Sequence, residues 1–108
     1  MLLEIQETSQ PRIFRLIGEL DISNAETLAA VLDREVDEQG DISLELSELT
    51  FMDSSGIRVL LRAMDRLNGR GKIMLVSPTS SVRHVLSLMG LDDRDSIRVV
   101  GSGEQAGP

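Results

Sequence analysis

The chain contains no cysteine, tryptophan or tyrosine, and only two phenylalanines and three prolines among its 108 residues. Without cysteine it can form no disulfide and offers no thiolate nucleophile or metal ligand, a composition that fits a cytoplasmic protein. With so few aromatic side chains it lacks a platform on which nucleic-acid bases or sugars could stack. The formal net charge of −7 further disfavours nucleic acid and anionic membranes as direct partners.

Long apolar runs are also missing from this sequence. No segment approaches the roughly 20 apolar residues of a membrane-spanning helix, and residues 1–5 lack the basic region and the apolar stretch of a secretory signal. A chain of 108 residues is expected to form one domain with a core of its own. We therefore expect a small, acidic, globular domain that does not act on a membrane.

The apolar residues that are present follow two periods. Ile42, Leu44 and Leu46 alternate with polar residues, as in a half-buried strand. Over 57–67, apolar residues recur three and four positions apart, as on one face of a helix. Similar patterns predict strands near 3–5, 13–17, 42–46, 73–76 and 97–100, and helices near 25–36, 55–68 and 79–89. In this interpretation Gly18 ends the second strand, and Ser23 or Asn24 caps the first helix.

The predicted order is β-β-α-β-α-β-α-β, which indicates an α/β fold. We expect a mixed sheet of four to five strands packed with three to four α-helices in a single domain over residues 1–100. Residues 101–108 are polar and rich in glycine, and we expect a flexible tail. Ligands and partners usually meet such a sheet at the carboxyl ends of its strands, which here carry 21–24, 53–56 and 77–79.

The segment Asp53-Ser54-Ser55-Gly56 lies where the third strand passes into the second helix. One interpretation is purely local: Ser54 or Ser55 accepts a backbone N–H as a helix cap, and Gly56 eases the tight turn. The other is functional. Unpaired amides and the helix dipole favour negative charge at this place, which suits a serine that is switched by phosphorylation.

Four arginines, Arg58, Arg62, Arg66 and Arg70, follow one another at intervals of four residues along the second helix. They could form a solvated face beside Asp65. Alternatively, Arg58 and Arg62, which are nearest to Ser54, contact a partner.

Features of an enzyme are weak. The chain has no Gly-x-Ser-x-Gly elbow, no phosphate-binding glycine loop, and a single histidine, His84, within a predicted helix. The acidic group Asp92, Asp93 and Asp95 lacks the other ligands of a calcium loop, and we interpret it as a solvated turn. We expect neither a metal site nor a cofactor, and no catalytic residue.

Three sequence blocks carry a resemblance to a known family. Residues 16–21 read Leu-Ile-Gly-Glu-Leu-Asp, residues 24–28 read Asn-Ala-Glu-Thr-Leu, and residues 46–57 end in Phe-Met-Asp-Ser-Ser-Gly-Ile. Together they resemble the anti-sigma factor antagonist family of STAS domains, with a likeness that extends over roughly residues 3 to 100. The chain departs from the family pattern at Arg58, where many members carry a small residue.

The resemblance implies a bacterial phosphoprotein that regulates transcription by partner switching. In that family the unphosphorylated antagonist binds an anti-sigma factor, which is a serine kinase with a histidine-kinase-like ATPase fold. Phosphorylation releases the antagonist, and a metal-dependent serine phosphatase resets it. The phosphorylated residue carried over to this chain is Ser54. The expected partner-binding residues are Asp21, Ser23, Asn24, Met52, Asp53, Ser55, Gly56, Ile57, Arg58 and Arg62.

Two alternatives to this switch are open at this point. The chain could be a STAS subunit of a larger assembly, such as a transporter accessory protein or a stress-signalling complex, in which Ser54 caps a helix and is never modified. It could also be an enzyme for a small molecule, but no general base lies beside a nucleophile in the sequence.

Overall fold

The structure, a computed structural model, describes residues 2–38 and 40–101. The strands are β1 (Leu3–Glu7), β2 (Ile13–Leu20), β3 (Ile42–Met52), β4 (Ile73–Val76) and β5 (Ile97–Val100). The helices are α1 (Ala25–Glu35), α2 (Ser54–Leu67) and α3 (Ser80–Leu88), and a short 3-10 helix, Leu91–Asp93, precedes β5. The predicted order of strands and helices is confirmed.

The five strands form one sheet in the order β1-β2-β3-β4-β5. The hairpin partners β1 and β2 are antiparallel, whereas β2, β3, β4 and β5 run parallel to one another. A helix lies in each connection between parallel strands, as such crossovers require. The carboxyl ends of β2, β3, β4 and β5 therefore lie at the same edge of the sheet.

The core lies between the sheet and its helices. Helices α1 and α2 contact each other, and α3 packs on β3. The apolar stripe predicted for α2 is confirmed at Ile57, Leu60 and Leu67, which are almost completely buried. The apolar period of α3 predicts that Met89 also faces the core, which is wrong, because Met89 follows the last residue of the helix and is 49% exposed.

Strand β3 is longer than its sequence pattern predicts. It continues past Leu46 to Met52, which pairs with Leu20, and its pairing with β2 skips one residue of β3 at each of two places. Each bulge shifts the side chains that follow to the other face. Leu46, Leu49 and Met52 are therefore all buried although they lie three residues apart. Alternation, the signal used for prediction, is absent from this part of the strand.

Gly18 does not end β2, as had been expected, but lies within it at φ +108°. The backbone of Leu2 passes directly over it, and the carbonyl of Leu2 accepts a hydrogen bond from Glu19 N at 2.9 Å. A side chain at position 18 would collide with that carbonyl. The glycine is thus required by a close approach of the chain rather than by a turn.

Most of the predicted tail, residues 102–108, lies outside the described residues, while Gly101 is buried. Within the described part of the chain, none of the helices combines the length and the apolar character needed to cross a bilayer.

Candidate functional site

Two loops with the same local design lie side by side at the carboxyl edge of the sheet. One follows β2 and begins at Asp21, and the other follows β3 and begins at Asp53. The strands are paired up to their last residues, Leu20 and Met52, and the backbone nitrogen of Asp53 donates to the carbonyl of Leu20 at 3.2 Å. This contact places the entrances of α1 and α2 next to each other, as expected for parallel neighbours.

Asp53 is the residue that caps α2. Its Oδ1 accepts the backbone N–H of Ser55 at 2.9 Å and the hydroxyl of Ser55 at 2.5 Å. The expectation that a serine hydroxyl accepts the capping hydrogen bond was therefore wrong: the carboxylate accepts, and Ser55 donates. Aspartate is among the best capping residues, and its negative charge also suits the helix dipole.

Ser54 lies between these two residues as the first residue of α2, and it differs from Ser55 in its surroundings. Its side chain is exposed and forms no hydrogen bond with any residue described in the structure. Ser55 is half-buried and bound to Asp53. The two adjacent hydroxyls are thus not equivalent, because only that of Ser54 belongs to an exposed residue and has no hydrogen bond with the described residues.

Asp21 repeats this arrangement before α1. Its Oδ1 accepts the backbone N–H of Ser23 at 2.9 Å and the hydroxyl of Ser23 at 2.5 Å. The hydroxyl hydrogen bond lowers the pKa of Asp21 below its ordinary value of 3.8, against the opposing effect of desolvation and with the help of the Ser23 backbone N–H. Asp21 is buried, and because its pKa is lowered it remains a carboxylate at neutral pH.

Asn24 stands at the N-cap of α1, but its side chain does not bond to the helix. Its Oδ1 accepts from the backbone nitrogen of Asp21 at 3.0 Å, and its Nδ2 donates to the carbonyl of Glu19 at 2.9 Å. The predicted position of the cap is confirmed, whereas its role differs: Asn24 fixes the loop that carries Asp21 and Ser23.

A surface groove of about 550 Å³ runs between the entrances of the two helices. It is lined by Ile22, Ala25, Glu26, Asp53, Ser54, Ser55, Arg58, Val59 and Arg62. Sequence reasoning missed Ile22, which is 83% exposed and occupies the same place in its loop as Ser54 does in the other. An isolated apolar residue between two polar loop residues was the signal that could have found it.

The four arginines spaced by four residues do not act as one set: three lie in α2, and Arg70 follows its end. Arg66 pairs with Asp33 of α1 at 2.6 Å, and Nη2 of Arg70 donates to the carbonyls of Val36 and Arg66 at 2.8 and 2.7 Å. These two arginines join the ends of α1 and α2. Arg62 lies 3.9 Å from Glu26, and Arg58 has no ion pair among the described residues.

Four of the predicted partner-binding residues are buried: Asp21, Met52, Gly56 and Ile57. Met52 and Ile57 are 3% and 1% exposed, and Gly56 is also buried. The burial of Met52, Gly56 and Ile57 favours a supporting role for these three over a direct contact with a partner. They support the loop from below. Gly56 lies so close to Leu20 that an added Cβ would be 2.7 Å from Leu20 Cδ2.

The remaining sequence candidates lie elsewhere. His84 is exposed on α3, and Asp92 accepts a hydrogen bond from Ser87 at 3.2 Å. Across the described ranges, acidic and histidine side chains form no group that could hold a metal ion. Thr79, in the segment after β4, donates its hydroxyl to the carbonyl of Leu49 rather than facing the groove.

Comparison with known proteins places these features in a family. The STAS domain profile matches residues 3–101. An anti-sigma F factor antagonist from Lysinibacillus sphaericus is 33% identical over 88 residues, which are 78% of this chain and 74% of that protein. The anti-sigma factor antagonist SpoIIAA, solved in its unphosphorylated form, is 25% identical and superposes with a TM-score of 0.73 over 97% of this chain and 93% of that one.

A further structure, the Bacillus cell fate determinant SpoIIAA in its phosphorylated form, has the same fold. It is 24% identical, with a TM-score of 0.65 over 97% of this chain and 96% of that one. The sequence profile, the antagonist relative and the shared fold agree with one another. The chain therefore belongs to the STAS domain family, as a protein of the anti-sigma factor antagonist type.

Proposed function

We propose that this chain is the phosphorylatable member of a partner-switching pathway. In its unmodified form it binds an anti-sigma factor that is also a serine kinase. Phosphorylation of Ser54 by that kinase releases it, and a metal-dependent serine phosphatase restores the active form. The chain is the substrate of these enzymes and not a catalyst, and we place the exchange in the cytoplasm.

The difference between Ser54 and Ser55 carries this proposal. A kinase needs a hydroxyl that can enter its active site, and the Ser54 side chain is exposed and without a hydrogen-bond partner among the described residues. The Ser55 hydroxyl is held by Asp53 at 2.5 Å. The SpoIIAA structures support a phosphorylation switch in this chain, since that relative has been solved in both unphosphorylated and phosphorylated forms.

The expected binding surface comprises the exposed part of the two loops and the adjacent turns of α2. Ser23, Ser54, Arg58 and Arg62 are exposed there, and Asp53 is half-buried. A partner that contacts Ser54 would also meet Ile22, whose side chain is 83% exposed beside the groove. Apolar residues that become buried at the centre of an interface often contribute much of its affinity.

The physical effect of phosphorylation follows from charge. A phosphoryl group adds about −1.5 to −2 charges at pH 7. It would lie at the start of α2, where amides and the dipole favour an anion, so the fold tolerates it. The neighbouring carboxylate of Asp53 already contributes negative charge to the same groove. A partner surface matched to a neutral hydroxyl then meets like charges, which can cost several kcal/mol across an interface.

The experiment that tests the proposal uses the intact chain with host-cell lysate and ATP. Wild type, Ser54→Ala and Ser55→Ala are incubated in parallel, and the intact mass and the modified residue are determined by mass spectrometry. We expect one phosphoryl group in wild type and in Ser55→Ala, and none in Ser54→Ala. Modification of Ser54→Ala at Ser55 would overturn the assignment of the acceptor.

A capture experiment then tests the release step. Unmodified and phosphorylated wild type are immobilised, and the kinase that modified Ser54 is quantified on each. We expect retention on the unmodified chain and loss on the phosphorylated one. Equal retention would contradict the switch and would favour a permanent STAS subunit of a larger assembly.

A further inference from the structure

Arg58 is set apart by its surroundings from the other three arginines of the same row. Arg62, Arg66 and Arg70 each reach an acidic side chain or a carbonyl group within 4 Å. Arg58 is exposed, lines the groove, and has no hydrogen bond or ion pair with any described residue. An arginine that is not engaged within its own chain is available to bind an anion that comes to this surface.

The position of Arg58 on α2 directs it towards Ser54. Ser54 is the first residue of the helix and Arg58 follows four residues later, so both lie on the same face. Side chains of a helix lean towards its N-terminus, which is the direction of Ser54 from Arg58. Both residues line the same groove. A guanidinium at this spacing can reach an oxygen attached to the Ser54 side chain.

We propose that Arg58 is a phosphate-binding residue of this chain, whose guanidinium pairs with the phosphoryl group on Ser54. The inference rests on the proposed function, because it needs that modification. Arginine forms charge-assisted, bidentate hydrogen bonds with phosphate oxygens. Arg62, which lines the same groove and is bound to Glu26 only at 3.9 Å, supplies a second positive charge.

This pairing adds a second element to the release mechanism. In the unmodified chain Arg58 can contact an acidic group on the kinase partner. After phosphorylation the same guanidinium is held by the phosphoryl group, so the partner loses a cationic contact and meets an anion. Release then follows from competition for Arg58 as well as from repulsion.

The residues that line the groove supply the other charged groups around the phosphoryl position. Asp53 contributes a carboxylate from the end of β3, Glu26 contributes one from α1, and the cations are Arg58 and Arg62 of α2. The carboxylates favour the less charged form of the phosphoryl group, and the arginines favour the dianion. Removing Arg58 must therefore raise the second pKa of the phosphoserine.

The test uses the full chain with phosphoserine installed at position 54 during translation, so that no kinase is needed. The phosphorus chemical shift is followed as the pH passes through the second ionisation of the phosphoserine, whose pKa is ordinarily about 6. We expect Arg58→Gln to raise that pKa by roughly half a unit relative to wild type. Arg34→Gln, the same charge change in the last turn of α1 and outside the groove, is the control and should leave it nearly unchanged.

A second measurement in the wild-type chain is independent of any variant. The Arg58 side-chain Nε–H resonance should shift when Ser54 carries the phosphoryl group, while that of Arg34 should not. If the phosphoserine had the same pKa in wild type and Arg58→Gln, the assignment of Arg58 would be overturned. The same holds if Arg58→Gln and Arg34→Gln raised that pKa equally. These results would leave the switch itself intact, whereas a failure of host kinases to modify Ser54 would overturn the switch without affecting this titration.

Discussion

Leu20 and Gly56 are packed so closely that position 56 has no room for a side chain. A Cβ atom there would be 2.7 Å from Leu20 Cδ2 and 3.0 Å from Met52 Cγ. This contact joins the end of β2 to the first turn of α2. Because Gly56 is buried within a helix, its role is to permit that approach rather than to form a turn.

The contact between Leu20 and Gly56 predicts whether a substitution at position 56 raises or lowers the free energy of unfolding. In a helix, alanine is ordinarily more stable than glycine by up to about 1 kcal/mol. Overpacking of a filled core costs about 1 to 3 kcal/mol, so we expect Gly56→Ala to lower the free energy of unfolding by about 1 kcal/mol. Urea denaturation measures this change in the free energy of unfolding, and Ser54→Ala is an exposed control in the same helical turn. A stabilised Gly56→Ala would mean that Leu20 and Met52 repack without cost.

The cap of α2 predicts unequal roles in stability for Asp53 and Ser54. Replacing a capping aspartate by alanine costs about 1 kcal/mol, and we expect this loss for Asp53→Ala. Asp53→Asn keeps a side-chain oxygen that can cap, and should retain most of the stability. For Ser54→Ala we expect a change within about 0.5 kcal/mol, as at other exposed sites. If Ser54→Ala were as destabilising as Asp53→Ala in urea denaturation, the assignment of the cap would be incorrect.

The lowered pKa of Asp21 predicts a pH dependence with a defined sign. Its pKa in the folded chain lies below the ordinary 3.8, so ionisation of this carboxyl favours the folded state. The contribution is complete above pH 3.8 and is lost as the pH falls through the lower folded-state value. Urea midpoints of wild type and Asp21→Asn should therefore differ at neutral pH and converge in acid.

The matched control for that experiment is Asp65→Asn, at an exposed position on α2 with no hydrogen bond to the described residues. The difference between wild type and this variant should vary less with pH. A constant difference between wild type and Asp21→Asn down to the lowest pH would show that the Ser23 hydrogen bonds do not depend on ionisation.

Phosphorylation of Ser54 should change the surface and leave the scaffold in place. The group is attached to an exposed side chain, and the hydrogen bonds of Asp53 with Ser55 do not involve it. In amide correlation spectra of modified and unmodified chain, we expect shifts at residues that line the groove. The amides of Leu44 and Leu75, which are fully buried in β3 and β4, should keep their positions. Large shifts throughout the core would instead indicate a conformational switch.

The element order could be predicted from the sequence because each segment has a simple period. The end of β3 could not, since two bulges remove the alternation after Glu45, and nothing in a run such as Ser47-Glu48-Leu49 marks them. The role of Gly18 could not be predicted from the sequence either. It depends on the backbone of Leu2, which lies far away in sequence and is brought near only by the pairing of β1 with β2.

At the site, the sequence identified the segment but not the hydrogen bonds within it. Two adjacent serines after an aspartate are compatible with several caps, and only the folded structure shows which side chain accepts the capping hydrogen bond. The sequence also did not predict which residues of the segment are buried. Met52, Gly56 and Ile57 belong to the sequence block that resembles the family, and yet they face the core. Residues shared by a sequence block can serve packing as well as contact, and spacing alone does not separate them.

The separation of Ser54 from the helix cap also has an evolutionary consequence. Stability constrains Asp53 and Ser55, which form the cap, whereas no described hydrogen bond constrains the Ser54 side chain. A single substitution at position 54 would therefore abolish the proposed phosphorylation, or replace it by a permanent charge, in a chain that still folds. Descendants of such a protein can lose or regain regulation in one mutational step, without passing through an unstable ancestor.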